Sequence, residues 1–305
     1  SSTPSTTTPS PSCSIDESYK YIFLPICYSF TFLFSISLNS VILFRSFRQT
    51  KRWNPSLIYM VNLASTDFMY GLSLPFLVAS YVMRDRWVFG DFMCRLVRFL
   101  FYFNLYCSIF FLTCISVHRY LGICHPMKVI TLETKKAVKS TCVLVWIVVF
   151  ALTCPIFRFA QTGHEYRNCW DDAIDKEFPD YVPYGIVLHL LGFFVPFSII
   201  AWCYSHVVLT ILRRDEGTSI FLGAHSPYAN RRRKSIKTII TITLLFALCF
   251  FPFHVTRTIF LVLKVTKGVP CHTMTMVSMC YKITRPLASF NAWLNALLYF
   301  LTKDK

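Results

Sequence analysis

Seven stretches of the chain stay apolar for about the length a membrane crossing needs: residues 21–47, 56–82, 94–125, 138–158, 182–212, 236–263 and 273–302. The hydrocarbon core of a bilayer is roughly 30 Å thick and takes about 20 residues of helix to span. Lipid offers no hydrogen bonds, so each span must satisfy its own backbone, which a helix does. An all-α membrane protein follows, a seven-transmembrane helix bundle. Composition agrees: 54% of residues are hydrophobic and only 15% charged, where soluble domains carry about a quarter charged.

The charges between the spans sort by side. Arg45, Arg48, Lys51 and Arg52 fill the first connection, Lys128, Lys135, Lys136 and Lys139 the third, Arg213, Arg214, Arg231, Arg232, Arg233, Lys234 and Lys237 the fifth. Lys303 and Lys305 follow the last span, while most acids sit in the other connections and near the start. The positive-inside rule then places the N-terminus outside and the C-terminus in the cytoplasm. The expected organisation is an extracellular Ser/Thr/Pro-rich tail over 1–20, a seven-span bundle over 21–302 and a short cytoplasmic end at 303–305. The net charge of +16 is topogenic on this reading, so the partner is a lipid bilayer and no nucleic acid. No charged-then-apolar leader opens the sequence, so insertion is expected to use the first span as a signal anchor. Cys13, Cys94, Cys169 and Cys271 all fall on the outer side, where two disulfides can form, most simply Cys94–Cys169 and Cys13–Cys271.

The third span carries ionisable groups at both ends. Arg98 and Arg119 are 21 residues apart, roughly 30 Å on a helix, so one lies near each membrane face. Membrane-buried cations mark functional positions. Arg98, Arg257, Lys282 and Arg285 lie in the outer halves of three spans, and converging cations in low dielectric call for an anion. Arginine forks suit phosphate oxygens, and Tyr102, Tyr106, Phe253, His254 and Tyr281 offer faces and hydrogen bonds for a base and a ribose. Asp67 is the single carboxylate inside a span, expected in the bundle interior against Ser108, Asn291 and Asn295, a polar-core site that also suits Na+. Prolines at 75, 155, 196, 252 and 286 predict bends.

These residues also carry a resemblance. Asn39, Leu63-Ala64-Ser65-Thr66-Asp67, Cys94, His118-Arg119-Tyr120, Trp146, Pro196, Tyr204, Phe246, Cys249-Phe250-Phe251-Pro252, Asn295 and Tyr299 resemble the motifs of rhodopsin-type G-protein-coupled receptors. Phe99 to Ser108, Leu112 to Pro126, Pro252 to Thr258 and Tyr281 to Ser289 are similar to the purinergic nucleotide receptors, nearest the branch answering uridine nucleotides. The resemblance implies a multi-pass plasma-membrane receptor for an extracellular nucleotide of the UTP, UDP and ATP class, signalling through a heterotrimeric G protein. It assigns Arg98, Tyr102, His254, Arg257, Lys282 and Arg285 to the nucleotide, and likens Asp171 to a loop acid that pairs with an arginine in the empty receptor. It assigns Arg119, Tyr204, Phe250, Asn295 and Tyr299 to coupling and activation, with Tyr204 and Tyr299 closing over Arg119 as the sixth helix swings outward.

Two departures stand out. His118 replaces the family's acid, leaving Arg119 less restrained, and Ala296 follows Asn295 where the family has proline. Alanine there predicts that the seventh helix loses its break. An anionic lipid or a peptide is the rival ligand. An enzyme is not expected: there is no cofactor motif, no catalytic cluster and no metal spacing among His118, His125, His189, His206 and His254. A transporter would show internal repeats and several ionisable groups at midplane.

Overall fold

The computed structural model describes residues 18–49, 53–162, 168–170, 178–218 and 227–303. The first three rods are single helices: α1 (Ser18–Arg48), α2 (Pro55–Val82) and α3 (Asp91–Cys124). A short α4 (Pro126–Leu132) leads to the fourth rod, α5 (Lys135–Thr153) and α6 (Ile156–Phe159). The fifth rod is α7 (Phe178–His189), a π turn over Leu190–Phe194 and α8 (Val195–Thr218). The sixth is α9 (Pro227–Leu245), a π turn over Phe246–Phe250 and α10 (Phe251–Val265), and the seventh is α11 (Cys271–Ser289), α12 (Asn291–Leu294) and α13 (Ala296–Thr302).

Five rods are both long and apolar enough to cross a membrane by composition alone, namely the first, third, fourth, fifth and sixth. The second and seventh carry much of the polar interior, including Asp67, Arg285, Asn291 and Asn295, all buried. Polarity that faces the bundle lowers mean hydropathy without exposing anything to lipid. The third rod is central. From Val97 to Ser116, α3 is buried almost around its circumference, the mark of a helix enclosed by others. The fourth rod instead shows Val143, Leu144, Ile147 and Phe150 to its surroundings.

Start and stop signals are local. Asn54 caps α2 by accepting a hydrogen bond from Leu57 N at 2.8 Å, with Pro55 in the first turn, and Thr134 caps α5 in the same way. These neutral oxygens satisfy amides that the helix start leaves without partners. The proline bends take a specific form. Pro155 ends α5, whereas Pro196 and Pro252 each lie just past a π turn, closed by Val195 N to Leu190 O and by Phe251 N to Phe246 O. Proline crowds the carbonyl four residues back and cannot donate to it, and a widened turn relieves both conflicts. The two π turns pack against each other, with Phe193 and Phe246 ring centroids 6.0 Å apart. In the first, Gly192 lets the Tyr106 ring lie on the backbone, since an added Cβ would come within 2.6 Å of it.

The seventh rod corrects one expectation. Ala296 does not leave it unbroken: the helix is interrupted at Phe290 and tightened at Asn295, where Leu298 N donates to Asn295 O at 3.1 Å. Asn291 and Asn295 are held there by side-chain hydrogen bonds, so the distortion is present without a proline at 296.

A two-stranded antiparallel ribbon, β1 (Gln161–Thr162) with β2 (Cys169–Trp170), closes the end of the bundle where Cys169 is disulfide-bonded to Cys94 at the head of α3. Cys271 is also disulfide-bonded. Cys13, its expected partner, lies outside the described residues.

Candidate functional site

Below that ribbon three arginines from α3, α10 and α11 turn into the bundle. Arg98, Arg257 and Arg285 are 5%, 0% and 8% exposed, so none of them reaches out to lipid headgroups. Arg98 donates from Nη2 to the Cys169 carbonyl at 3.0 Å, which ties the α3 arginine to the disulfide-linked strand. Arg257 donates from Nη1 to both the Tyr102 and the Tyr281 hydroxyls. Its guanidinium also faces the rings of Tyr102, Tyr181 and Tyr281 at 4.9, 5.3 and 5.7 Å. Arg285 lies 4.8 Å from the centroid of the same Tyr281 ring, and Tyr281 stacks on Phe260. Cation–π contacts and neutral phenol oxygens let a low-dielectric interior hold positive charge. Lys282 follows Tyr281 and is half-buried. Asp171 lies outside the described residues.

A layer deeper, His254 presents Nδ1 to the Phe250 carbonyl at 2.7 Å. A carbonyl only accepts, so Nδ1 carries the proton and Nε2 accepts from the Tyr106 hydroxyl, 3.1 Å away. The same logic fixes His189, whose Nδ1 lies 2.6 Å from the Gly185 carbonyl. Its Nε2 is left as a buried acceptor with no hydrogen-bond partner among the described residues, and its ring meets His254 edge to face at 5.2 Å. Sequence reasoning passed over His189 in looking only for metal spacing. It also passed over Tyr181, which reaches Arg257 from the fifth rod; both lie buried on α7.

The family model described as 7 transmembrane receptor (rhodopsin family) matches residues 38–299. Purinoceptor 3 of Meleagris gallopavo is 40% identical over 299 residues, covering 96% of this chain and 89% of its own. Purinoceptor 2 of Rattus norvegicus is 41% identical over 295 residues, covering 96% and 77%. Purinoceptor 4 of Xenopus laevis is 39% identical over 295 residues, covering 96% and 54%. The chain belongs to the purinoceptors of the rhodopsin family. It is a multi-pass membrane receptor and not an enzyme.

Midway along this receptor, Asp67 anchors a polar core that joins three rods. Asn104 on α3 donates to Oδ1 at 2.7 Å, and Asn295 donates to Oδ2 at 3.1 Å. Ser108 donates to Asn291 Oδ1 at 2.8 Å, and Asn295 Nδ2 also reaches Ser108 Oγ at 3.1 Å. Asn104, the shortest of the Asp67 contacts, was missed in the sequence because it sits in an aromatic run. Asn39 links the first rod by donating to Ala292 O at 2.8 Å. Asn295 Oδ1 is buried with no hydrogen-bond partner among the described residues, an oxygen still available inside an oxygen-rich core.

At the far end from the ribbon, Arg119 donates from Nη2 to Ser56 Oγ on α2 at 3.3 Å. Tyr204 is engaged elsewhere, its hydroxyl 2.7 Å from Ser116 Oγ. Phe250 is fully buried against Phe246, and Tyr299 is buried beside the Arg119 end of α3.

Proposed function

We propose that this receptor binds an extracellular nucleotide polyphosphate at the ribbon end of the bundle and signals through a heterotrimeric G protein at the Arg119 end. The observation that carries the reading is the fully buried Arg257 in its tyrosine cage, flanked by Arg98 and Arg285. The relatives are named purinoceptors, which points the same way. On this reading the disulfide end faces outside and the Lys/Arg-rich end faces the cytoplasm of a cell whose plasma membrane holds the receptor.

The Tyr102 and Tyr281 hydroxyls occupy positions on Arg257 that phosphate oxygens can take. A phosphate brings full negative charge and two oxygens matched to the guanidinium fork, where a phenol brings neither, so it displaces the phenols from Arg257. Arg98 and Arg285 take further phosphate oxygens, and Tyr106 and His254 meet the base or ribose below them. Because Arg257 is on α10, binding shifts the ring-packed α10 relative to α3 and α11. The π turn at Phe246–Phe250 then serves as the bend through which α9 moves, opening the Arg119 end.

The polar core suits Na+: the Asp67 carboxylate, Ser108 Oγ, Asn291 Oδ1 and Asn295 Oδ1 are hard oxygen donors, the type that hard cations select. A bound Na+ there would tie α2, α3 and the seventh rod together in the inactive arrangement.

The test is a dose-response panel of UTP, UDP, ATP and a lysophospholipid, with nucleotide exchange on a reconstituted G protein as readout, before and after Arg257→Ala. A nucleotide response that survives Arg257→Ala and Arg285→Ala unchanged would sink the site. A response to the lysophospholipid alone would transfer the same cations to a lipid acid.

A further inference from the structure

The layer below the arginines holds two buried histidines, and only one of them has a nitrogen to spare. His254 is committed at both ends: Nδ1 donates to the Phe250 carbonyl at 2.7 Å, and Nε2 accepts from the Tyr106 hydroxyl at 3.1 Å. Phe193 stacks on its ring at 4.2 Å. A ligand lying against His254 therefore meets ring carbon, and gains a hydrogen bond there only by taking Tyr106 away. His189 differs. Its Nδ1 gives its proton to the Gly185 carbonyl at 2.6 Å, so Nε2 is an acceptor. That acceptor is buried in a side chain that is 5% exposed and has no hydrogen-bond partner among the described residues.

Leaving such an acceptor unmet is unfavourable, and the donors beside it are spent. Tyr106 serves His254, and Tyr184, from the same helix as His189, donates to the Leu152 carbonyl at 2.6 Å. A metal ion does not suit the position: among the described residues no three His, Cys, Asp or Glu side chains gather as ligands. The remaining source of a proton is the ligand. The His189 and His254 rings meet edge to face at 5.2 Å, so a group that lies against His254 comes alongside His189. His254 precedes Arg257 by three positions on α10, a drop of roughly 4.5 Å into the bundle. With phosphates at Arg257, that drop brings the ribose, which is bonded directly to the first phosphate, to the histidine layer. We propose that His189 is the histidine that hydrogen-bonds the nucleotide, its Nε2 accepting from a ribose hydroxyl. The inference rests on the nucleotide reading above and adds to it a residue that selects ribose over deoxyribose.

Binding of UTP, 2′-deoxy-UTP and 3′-deoxy-UTP to the receptor in nanodiscs tests this in the parent, His189→Leu and His189→Gln. In the parent, removing the hydroxyl that meets Nε2 is expected to weaken binding roughly two- to tenfold, the range of one neutral hydrogen bond. His189→Leu is expected to lose UTP affinity by the same factor and to bind UTP and that deoxynucleotide equally. His189→Gln, whose Oε1 restores an acceptor, is expected to recover part of the preference and guards against a folding defect in the leucine variant. Equal weakening of all three nucleotides by His189→Leu, the signature of a side chain that only packs, would overturn the proposal. So would a parent that binds the three alike. Discrimination against N3-methylated UTP that His189→Leu abolishes would move the contact to the base and overturn the ribose as its source. UTP binding that ignores Arg257→Ala would instead sink the nucleotide site itself, so the two failures are told apart.

Discussion

Arg257 on α10 donates across the bundle to the phenol oxygen of Tyr102 on α3, and the same nitrogen serves Tyr281 on α11. One guanidinium thus joins three helices at a single depth. Arg98 and Arg285 complete a ring of charge whose counter-groups in the described residues are carbonyls, phenols and ring faces.

Replacing that fork separates charge from geometry. Arg257→Lys keeps the charge but presents one ammonium in place of a planar fork suited to two phosphate oxygens. A hydrogen bond to a charged group contributes about 1.5–3 kcal/mol, so nucleotide potency should fall roughly 10- to 100-fold. Arg257→Gln should fall further, and concentration-response curves for UTP and ATP on the two variants give the comparison. Equal losses for Lys and Gln would mean the fork is irrelevant.

The disulfide reaches the site through a single carbonyl. Cys169 is bonded to Cys94, and its carbonyl accepts from Arg98 Nη2 at 3.0 Å. Loss of a native disulfide typically costs about 2–5 kcal/mol. Cys94→Ala should therefore lower the thermal midpoint and, in the fraction that still folds, weaken nucleotide binding as Arg98 loses its anchor. Arg98→Ala in the intact disulfide background should reproduce the binding loss without the stability loss. If Arg98→Ala binds normally, the strand and the ligand are not coupled through this contact.

Much of this was legible in the sequence. Run length and charge placement gave seven rods and the inward arginines of the third, sixth and seventh, since buried cations are too costly to leave unused. Charge placement put Cys94 and Cys169 among four outer cysteines, and the bridge between them was the simplest pairing to expect. What stayed hidden depends on how helices rotate against one another. Asn104 meets Asp67 and Tyr181 meets Arg257 only through such rotations, and helical spacing defines a face without naming its partner on another rod. The π turns before Pro196 and Pro252 were also invisible, because each inserts extra rotation that proline signals as a bend but does not specify. Ala296 misled for the converse reason: the break at Phe290 and Asn295 coincides with the asparagine network, not with a proline at 296.

Acidity offers a test on the connection after α3. Glu133 follows α4, outside the spans, and burial raises its carboxyl above the ordinary range while a hydrogen bond from Tyr59 at 3.5 Å opposes the shift. A carboxyl whose folded value is raised favours the folded state below its unfolded value and loses that contribution as pH rises through the folded one. At neutral pH the charged Glu133 is thus a cost. Glu133→Gln should raise the thermal midpoint at pH 7.5, with the gap to the parent shrinking toward pH 4.5. A gap that instead widens on acidification would show that the Tyr59 contact outweighs burial.

Sodium gives the sharpest probe of the polar core. Asp67 lies fully buried between Asn104 of α3 and Asn295 of the seventh rod, and Asn295 Oδ1 has no hydrogen-bond partner among the described residues. Two amide donors satisfy part of the carboxylate, yet the charge itself has no cation among the described salt bridges. A small hard cation would take the open amide oxygen and the carboxylate together and hold α2, α3 and the seventh rod in their present spacing. Agonist binding that moves those rods must then expel it, and expulsion costs affinity in proportion to the coupling, typically about 5-fold or more. Replacing NaCl by choline chloride at constant ionic strength should therefore raise agonist affinity by about that factor in the parent receptor. Asp67→Asn should bind agonist with no sodium dependence, and Asn104→Ala, which strips a donor but no oxygen ligand, should keep the dependence while lowering thermal stability by about 1–3 kcal/mol. Affinity in the parent that does not change between the two salts would remove the cation from the core and leave Asp67 a purely structural hydrogen-bond acceptor.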